Sequence, residues 1–189
     1  RRGERKQIAW KATIYLAFGS IVLLAGLLWL VAASGSSSLG FDDLLESSIP
    51  AESQRGISLF LIFGFGALFS LFPFHSWAAP AYASAPAPIS MLHAGVLKKF
   101  GLYGLLRLHP LVPEGMSHWL NLLIALLIGN ILWVGFVTIN QKRLDSMLGN
   151  SSVMHMGYIF LAFAALVGAG SELANPVAKP AAILLMFAH

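Results

Sequence analysis

Long apolar runs separated by short polar stretches set the pattern of this chain. The runs cover residues 8–33, 57–74, 89–108, 119–139, 147–167 and, cut off by the last residue, 180–189. The complete ones approach or exceed the ~20 residues that a helix needs to cross the hydrocarbon core of a bilayer. None alternates with period two over ~10 residues, as the strands of a membrane β-barrel do. The expected fold is therefore all-α: a polytopic transmembrane helix bundle, one domain over residues 1–189.

The second run ends in a way no regular helix tolerates. In "FPFHSWAAPAYASAPAP" prolines stand at Pro73, Pro80, Pro86 and Pro88. Each removes a backbone donor and clashes with the preceding turn. The pattern predicts a broken helix near Pro73 followed by a re-entrant loop. His75, beside the break, is expected to serve freed backbone groups. Gly64, Gly66, Gly95, Gly101 and Gly104 are placed to let helices approach closely. Trp10, Trp77, Trp119 and Tyr82 fall near run ends, where interface anchors sit.

Composition sharpens this picture. Hydrophobic residues make up 57% of the chain and charged residues 11%, with a mean hydropathy of +0.75. That leaves too little polar side chain to cover a soluble domain. There is no cysteine, which excludes disulfides, zinc thiolate sites and iron–sulfur ligation by this chain. No glycine-rich loop follows a strand, so no dinucleotide site is expected. The net charge of +4 is modest and clusters at run ends, which reads as a topology signal with no nucleic-acid partner. Arg1, Arg2, Arg5, Lys6 and Lys11 flank the first run, and Lys142 and Arg143 follow the fourth. The positive-inside rule places both clusters, and the loops at 73–88 and 140–146, on the cytoplasmic side. The chain starts in a charged loop without Met and stops at His189 in mid-run, so it reads as an internal fragment.

The candidate chemistry lies inside the membrane. Lys98 and Lys99 are adjacent near the middle of the third run, with no acid in the run to pair them. A charge at the bilayer centre costs roughly 2.5–3.5 kcal/mol on insertion scales, and such residues mark ion or proton pathways by default. A lysine that is neutral part of the time can accept and release a proton. Adjacent helical positions point about 100° apart, so the two lysines are not expected to share a partner. His155 in the fifth run and His189 in the sixth suit proton transfer, while His93 fits a structural or a functional role. His109 and His118 lie in an outer loop and are given no role. Neither His155 nor His189 has the carboxylate or thiolate neighbours of a metal site.

At this point the residues resemble a family. "FPFHSWAAPAYASAPAPISMLHAGVLKKFGLYGLLRL", "SSVMHMGYIFLA" and "LLMFAH" resemble, in order, three diagnostic stretches of the antiporter-like subunits of respiratory complex I, most closely the M-type chains. Related chains occur in multisubunit cation/proton antiporters and membrane-bound hydrogenases. The resemblance covers the whole sequence. It implies a larger bundle built from inverted repeats, of which this chain holds a part. It implies a proton-translocating, non-redox subunit of a NADH:quinone oxidoreductase in the bacterial inner membrane. NADH, flavin, iron–sulfur clusters and quinone would be held by partner subunits, with no cofactor on this chain. The other membrane-arm subunits and the lipid bilayer would be its partners. On that pattern Lys99 matches the relay lysine of the third run, and His155 and His189 match polar-axis histidines. Lys98 stands where the family has an apolar residue and is a further relay candidate.

Two positions depart from the family. Its broken helix carries a lysine seven residues before the His of the Pro-aromatic-His-x-Trp segment; here that position is Leu68. Its Asp-x-Lys-Arg turn reads Arg143-Leu144-Asp145-Ser146, with the charges exchanged in a way that could preserve an ion pair. The loss at Leu68 keeps a second reading open: a structural membrane subunit that no longer conducts. A third reading, a sodium or potassium antiporter subunit, shares the same motifs.

Overall fold

Helix α1 (Arg2–Ser34) is long enough to cross a bilayer with turns to spare, at about 1.5 Å of rise per residue. It is seen in a computed structural model that describes residues 2–36, 38–168 and 175–188. Its exposed apolar positions, Trp10, Ile14, Phe18, Ile21, Leu24 and Leu28, recur every three or four residues along one face. The opposite face packs along α3 (Ala51–Leu68). There the glycines decide the distance. A Cβ on Gly64 of α3 would come within 2.7 Å of the Leu23 backbone, and one on Gly26 of α1 within 2.8 Å of Phe60. Small residues at such a contact let two helices approach backbone to backbone, which is the main attraction available between helices in lipid.

The expected break is present. After Leu68 the chain turns through Ser70, whose φ of 62° is left-handed, and a cis Phe72–Pro73 bond. A short 3₁₀ turn, Phe74–Trp77, leads into α4 (Ala78–Ser84). Trp77 is 2% exposed and donates its indole N–H to the Ala67 carbonyl at 3.2 Å. Its place in the interior corrects the interface role expected for it. A carbonyl freed by the broken helix needed a buried donor, and the indole supplies one.

The third span is assembled from α5 (Ala87–Leu92), a π-turn over His93–Leu97, and α6 (Lys99–Leu108). The loop that follows contains α7 (Pro113–His118), docked on α3. Gln54 clamps this loop: its amide donates to the Ile49 carbonyl at 2.8 Å and its carbonyl accepts from Glu114 N–H at 3.1 Å. The fourth span joins α8 (Leu120–Gly129), a second π-turn over Asn130–Val134, and α9 (Gly135–Ile139). Helix α10 (Leu144–Gly168) forms the fifth, and α11 (Asn175–Ala188) begins earlier than the apolar run suggested and contains Pro180. The acidic loop after α1 also holds a helical turn and a half, α2 (Phe41–Glu46), which the hydrophobic pattern did not show.

Among the described residues there is no strand, so the all-α class holds. Three helices are long and apolar enough to cross a membrane: Glu4–Ser34, Leu120–Ile139 and Leu144–Gly168. The main core gathers Ile57, Leu61, Leu102, Leu127, Ile159 and Phe163 between α3, α6, α8 and α10. A second, smaller cluster of Trp77, Ala78, Val134 and Val153 supports the re-entrant segment.

Candidate functional site

The two lysines are separated by a change of helical phase. The π-turn closes with Lys98 N–H donating to the His93 carbonyl at 3.2 Å, one residue further back than an α-helix would reach. Such a turn inserts a residue and rotates everything that follows. Lys98 ends up facing inward and is 1% exposed, Lys99 is half-buried, and Phe100 is 62% exposed on the outer face. Regular 3.6-residue spacing could not foretell which lysine faces inward, because the register shift falls between the motif's glycine and the lysines.

The Lys98 ammonium has no hydrogen-bond partner and sits 4.7 Å from the centroid of the Tyr82 ring. A desolvated cation over an aromatic face gains about 2 kcal/mol. That offsets much, though not all, of the ~2.5–3.5 kcal/mol that a mid-membrane charge costs. The same tyrosine forms a 3.0 Å hydrogen bond between its hydroxyl and His93 Nδ1. Ser90 donates to the Tyr82 carbonyl at 3.0 Å, tying α4 to the start of the third span. The Trp77 ring lies edge-on to His93 with centroids 5.7 Å apart. His93 thus belongs to the site, a role the sequence left open. Tyr82, expected at the interface, is its centre.

Beside this group is a cavity of about 220 Å³. Leu16, Phe65, Leu68 and Phe69 wall it from α1 and the end of α3, and His93 and Lys98 are its polar lining. Leu68 and Lys98 therefore border one space from opposite helices. The glycine beside them is needed for closeness: a Cβ on Gly101 would run into the Phe69 ring. Gly104 likewise faces Phe65, at 2.7 Å from a would-be Cβ, whereas Gly95 has open space around it.

A larger cleft of about 650 Å³ opens at one end of the bundle. It gathers Glu4 and Arg5 from α1, His75 and Ser76 from the broken segment, and Gln141, Arg143 and Asn150 from the turn into α10. These are three segments that the charge pattern assigns to one side of the membrane. Arg143 and Asp145 form an exposed ion pair there, with Nε donating to Oδ1 at 3.1 Å. Asp145 also accepts from the Ser146 N–H at 2.7 Å, in the first turn of α10. The Arg143 guanidinium, and then the Ser146 amide, hold the Asp145 carboxyl below its ordinary range.

Asn130 was missed in the sequence, although a lone amide within "LLIALLIGNILWVGF" was the signal. It is 0% exposed at the start of the second π-turn. Its Oδ1 accepts from the Phe72 N–H at 3.1 Å and its Nδ2 donates to the Val153 carbonyl at 2.9 Å. One side chain so links the broken segment, the fourth span and α10.

His155 is two residues beyond Val153 on the exposed face of α10. Its Nδ1 is 2.8 Å from the Ser151 carbonyl, a contact that requires the proton on Nδ1. It does not line the Lys98 cavity. His189 lies outside the described residues. Among the described residues no group of three or more His, Asp or Glu is placed to hold a metal ion.

These features define a class: a polytopic membrane bundle with a broken helix and an unpaired cation buried beside the break. Comparison with known proteins narrows it. The family model described as "NADH:quinone oxidoreductase/Mrp antiporter, TM" matches residues 1–189, and the chain belongs to that family. It is 33% identical over 169 residues to NAD(P)H-quinone oxidoreductase chain 4 2 of Microcystis aeruginosa, covering 88% of this chain and 31% of that one. It is 32% identical over 187 residues to chain 4 1 of a Picosynechococcus species, covering 98% of this chain and 34% of that one. The chain thus spans about a third of the length of these relatives. Its fold matches a chain in the structure described as respiratory complex I from Thermus thermophilus with bound NADH, with a TM-score of 0.76 and 23% identity. That match covers 95% of this chain and 41% of the other.

Proposed function

We propose that this chain is part of a proton-translocating membrane subunit of a NADH:quinone oxidoreductase. It would couple electron transfer from NADH to quinone, carried out in partner subunits, to proton movement through an intramembrane relay. Lys99, His155 and His189 form the relay, and Lys98 joins it. Flavin, iron–sulfur clusters and quinone belong to the partners, so the subunit itself carries no redox step. The other membrane-arm subunits are its neighbours, in the inner membrane of a bacterium.

The observation that carries this reading is the buried, hydrogen-bond-free Nζ of Lys98. A chain that no longer conducted would gain stability by replacing it with an apolar residue, because the insertion cost is continuous. Lys98 also answers the loss at Leu68. The two side chains border the same cavity, so position 98 offers a cation to the space beside position 68.

Leu68 favours the second reading, a non-conducting structural subunit of the same complex. The family also includes Mrp antiporters, which favours a third, a cation antiporter chain. One reconstitution separates them. The assembled complex, placed in vesicles, is driven by NADH with and without sodium or potassium, comparing the native chain with Lys99→Met. A lower proton-to-electron ratio in the variant, indifferent to the cation present, supports the proposal. An unchanged ratio both there and in Lys98→Met leaves the structural reading, and transport that requires sodium or potassium leaves the antiporter reading.

A further inference from the structure

Tyr82 touches both basic groups that line the cavity, and with different parts of itself. Its ring face lies under the Lys98 ammonium at 4.7 Å, and its hydroxyl is bonded to His93 Nδ1 at 3.0 Å. We propose that Tyr82, His93 and Lys98 form a proton-exchange triad, in which one tyrosine stabilises the same positive charge at two sites: by its ring when the proton is on Lys98, by its hydroxyl when the proton is on His93.

The step is a single proton transfer. One N–H bond of the Lys98 ammonium breaks and, through water in the shared cavity because Nζ has no direct hydrogen-bond partner, an Nε2–H bond forms on neutral His93 in the tautomer whose Nδ1–H donates to the Tyr82 hydroxyl. The products are a neutral amine and an imidazolium, and the return step reverses it. No oxidant or other reactant is required. When the imidazolium forms, its Nδ1–H bond to the hydroxyl becomes charge-assisted and roughly doubles in strength. When the ammonium forms, the ring quadrupole attracts it. Each state thus gains an interaction that the other lacks.

The surroundings suit exchange better than storage. The 220 Å³ cavity that His93 and Lys98 share has room for several waters, at about 30 Å³ each. Its α1 and α3 walls (Leu16, Phe65, Leu68, Phe69) are apolar, so water there finds its polar partners on these two side chains. Lys99, the other charged group on the segment, does not line the cavity. The hinge of the arrangement is fixed. Ser90 holds the Tyr82 carbonyl, and the Trp77 edge sets the plane beside the His93 ring.

The proposal rests on the relay reading above, and its test keeps the two apart. The assembled complex is reconstituted in vesicles with Tyr82→Phe, which keeps the ring and deletes the hydroxyl, with His93→Gln, with both together, and with Lys98→Met and Lys99→Met. Proton translocation per electron is measured across a range of pH at matched assembly. The triad predicts that Tyr82→Phe slows translocation about tenfold or more, a step within the range of general acid–base contributions, and displaces its pH profile. It also predicts that the double variant is no worse than His93→Gln alone. If Tyr82→Phe and His93→Gln both keep the native ratio and profile while either lysine variant lowers the ratio, the triad is wrong and the relay stands. Native behaviour in both lysine variants overturns the relay reading and the triad with it. Should Tyr82→Phe not assemble, His93→Gln decides alone, since glutamine retains a hydrogen-bonding side chain but carries no proton.

Discussion

Asn130 offers a stability prediction that can be worked through from its contacts. Asn130→Ala removes the acceptor of the Phe72 N–H and the donor to the Val153 carbonyl. The carbonyl keeps its partner within α10, so its loss is small, about 0.6 kcal/mol on average for interhelical bonds in membranes. The Phe72 amide keeps nothing, because the chain there has left helix α3 and reached the cis Phe72–Pro73 bond. An orphaned amide costs about 1–3 kcal/mol. The expected total is about 1.5–3.5 kcal/mol. A second substitution makes the prediction sharper. A Cβ on Gly157 would lie 2.9 Å from Asn130 Nδ2 and 2.8 Å from Ile131 Cγ1. Gly157→Ala alone should cost about 1–3 kcal/mol by overpacking. With Asn130 already truncated, one of its two clashes disappears, so the double variant should cost less than the sum by at least ~0.5 kcal/mol. Reversible unfolding of the full-length chain in mild detergent measures all three. A cost below ~0.5 kcal/mol for Asn130→Ala, or additivity within ~0.3 kcal/mol in the double variant, would refute the link between the broken segment and α10.

Other consequences are as direct. Gly101→Ala and Gly104→Ala force the Phe69 and Phe65 rings to move and should each lose about 1–3 kcal/mol, whereas Gly95→Ala meets nothing within 4 Å and should change stability by less than ~1 kcal/mol. The same unfolding assay ranks them. Asp145 is held ionised by Arg143, so its folded pKa is below its unfolded one. Its support of the first turn of α10 is complete above the ordinary carboxylate range and is lost as pH falls through the lowered value. Protection of the α10 N-terminal amides, taken against their intrinsic exchange rates at each pH, should fall on acidification in the native chain and show no such titration in Asp145→Asn. Burial of His109 against Phe163 favours its neutral form and lowers its pKa. The unfolded chain then takes up the proton first, so stability is full above about pH 6.5 and declines as pH falls below it. His109→Phe should flatten that decline in a thermal-unfolding series from pH 7 to about pH 5.

The sequence and the structure agree where a pattern had one physical outcome. Four prolines within "FPFHSWAAPAYASAPAP" left no regular helix possible, and the break near Pro73 is there. Apolar runs about as long as the bilayer is thick led to an all-α bundle. Agreement fails where a local device changes the register. A π-turn over His93–Leu97 turns Lys98 inward and leaves Lys99 half-buried, and periodicity assumes no such turn. Short amphipathic pieces such as α2 and α7 lie in stretches too polar for a hydropathy pattern to mark. Trp77 and Tyr82 were expected at the interface from their place near run ends. The broken helix instead buries Trp77, whose indole serves a freed carbonyl, and leaves Tyr82 half-buried with its phenol bonded to His93. Asn130 and His93 are polar groups whose partners come from distant segments, so their roles became visible only with the fold.

The most direct test of the central claim is the number of protons translocated per electron by the assembled complex carrying Lys98→Met. The substitution keeps an unbranched side chain, one atom shorter, while removing its charge. The account predicts a lower ratio, with native assembly and native electron transfer from NADH to quinone. A native ratio would contradict it, and the buried ammonium of Lys98 would then have no part in proton movement.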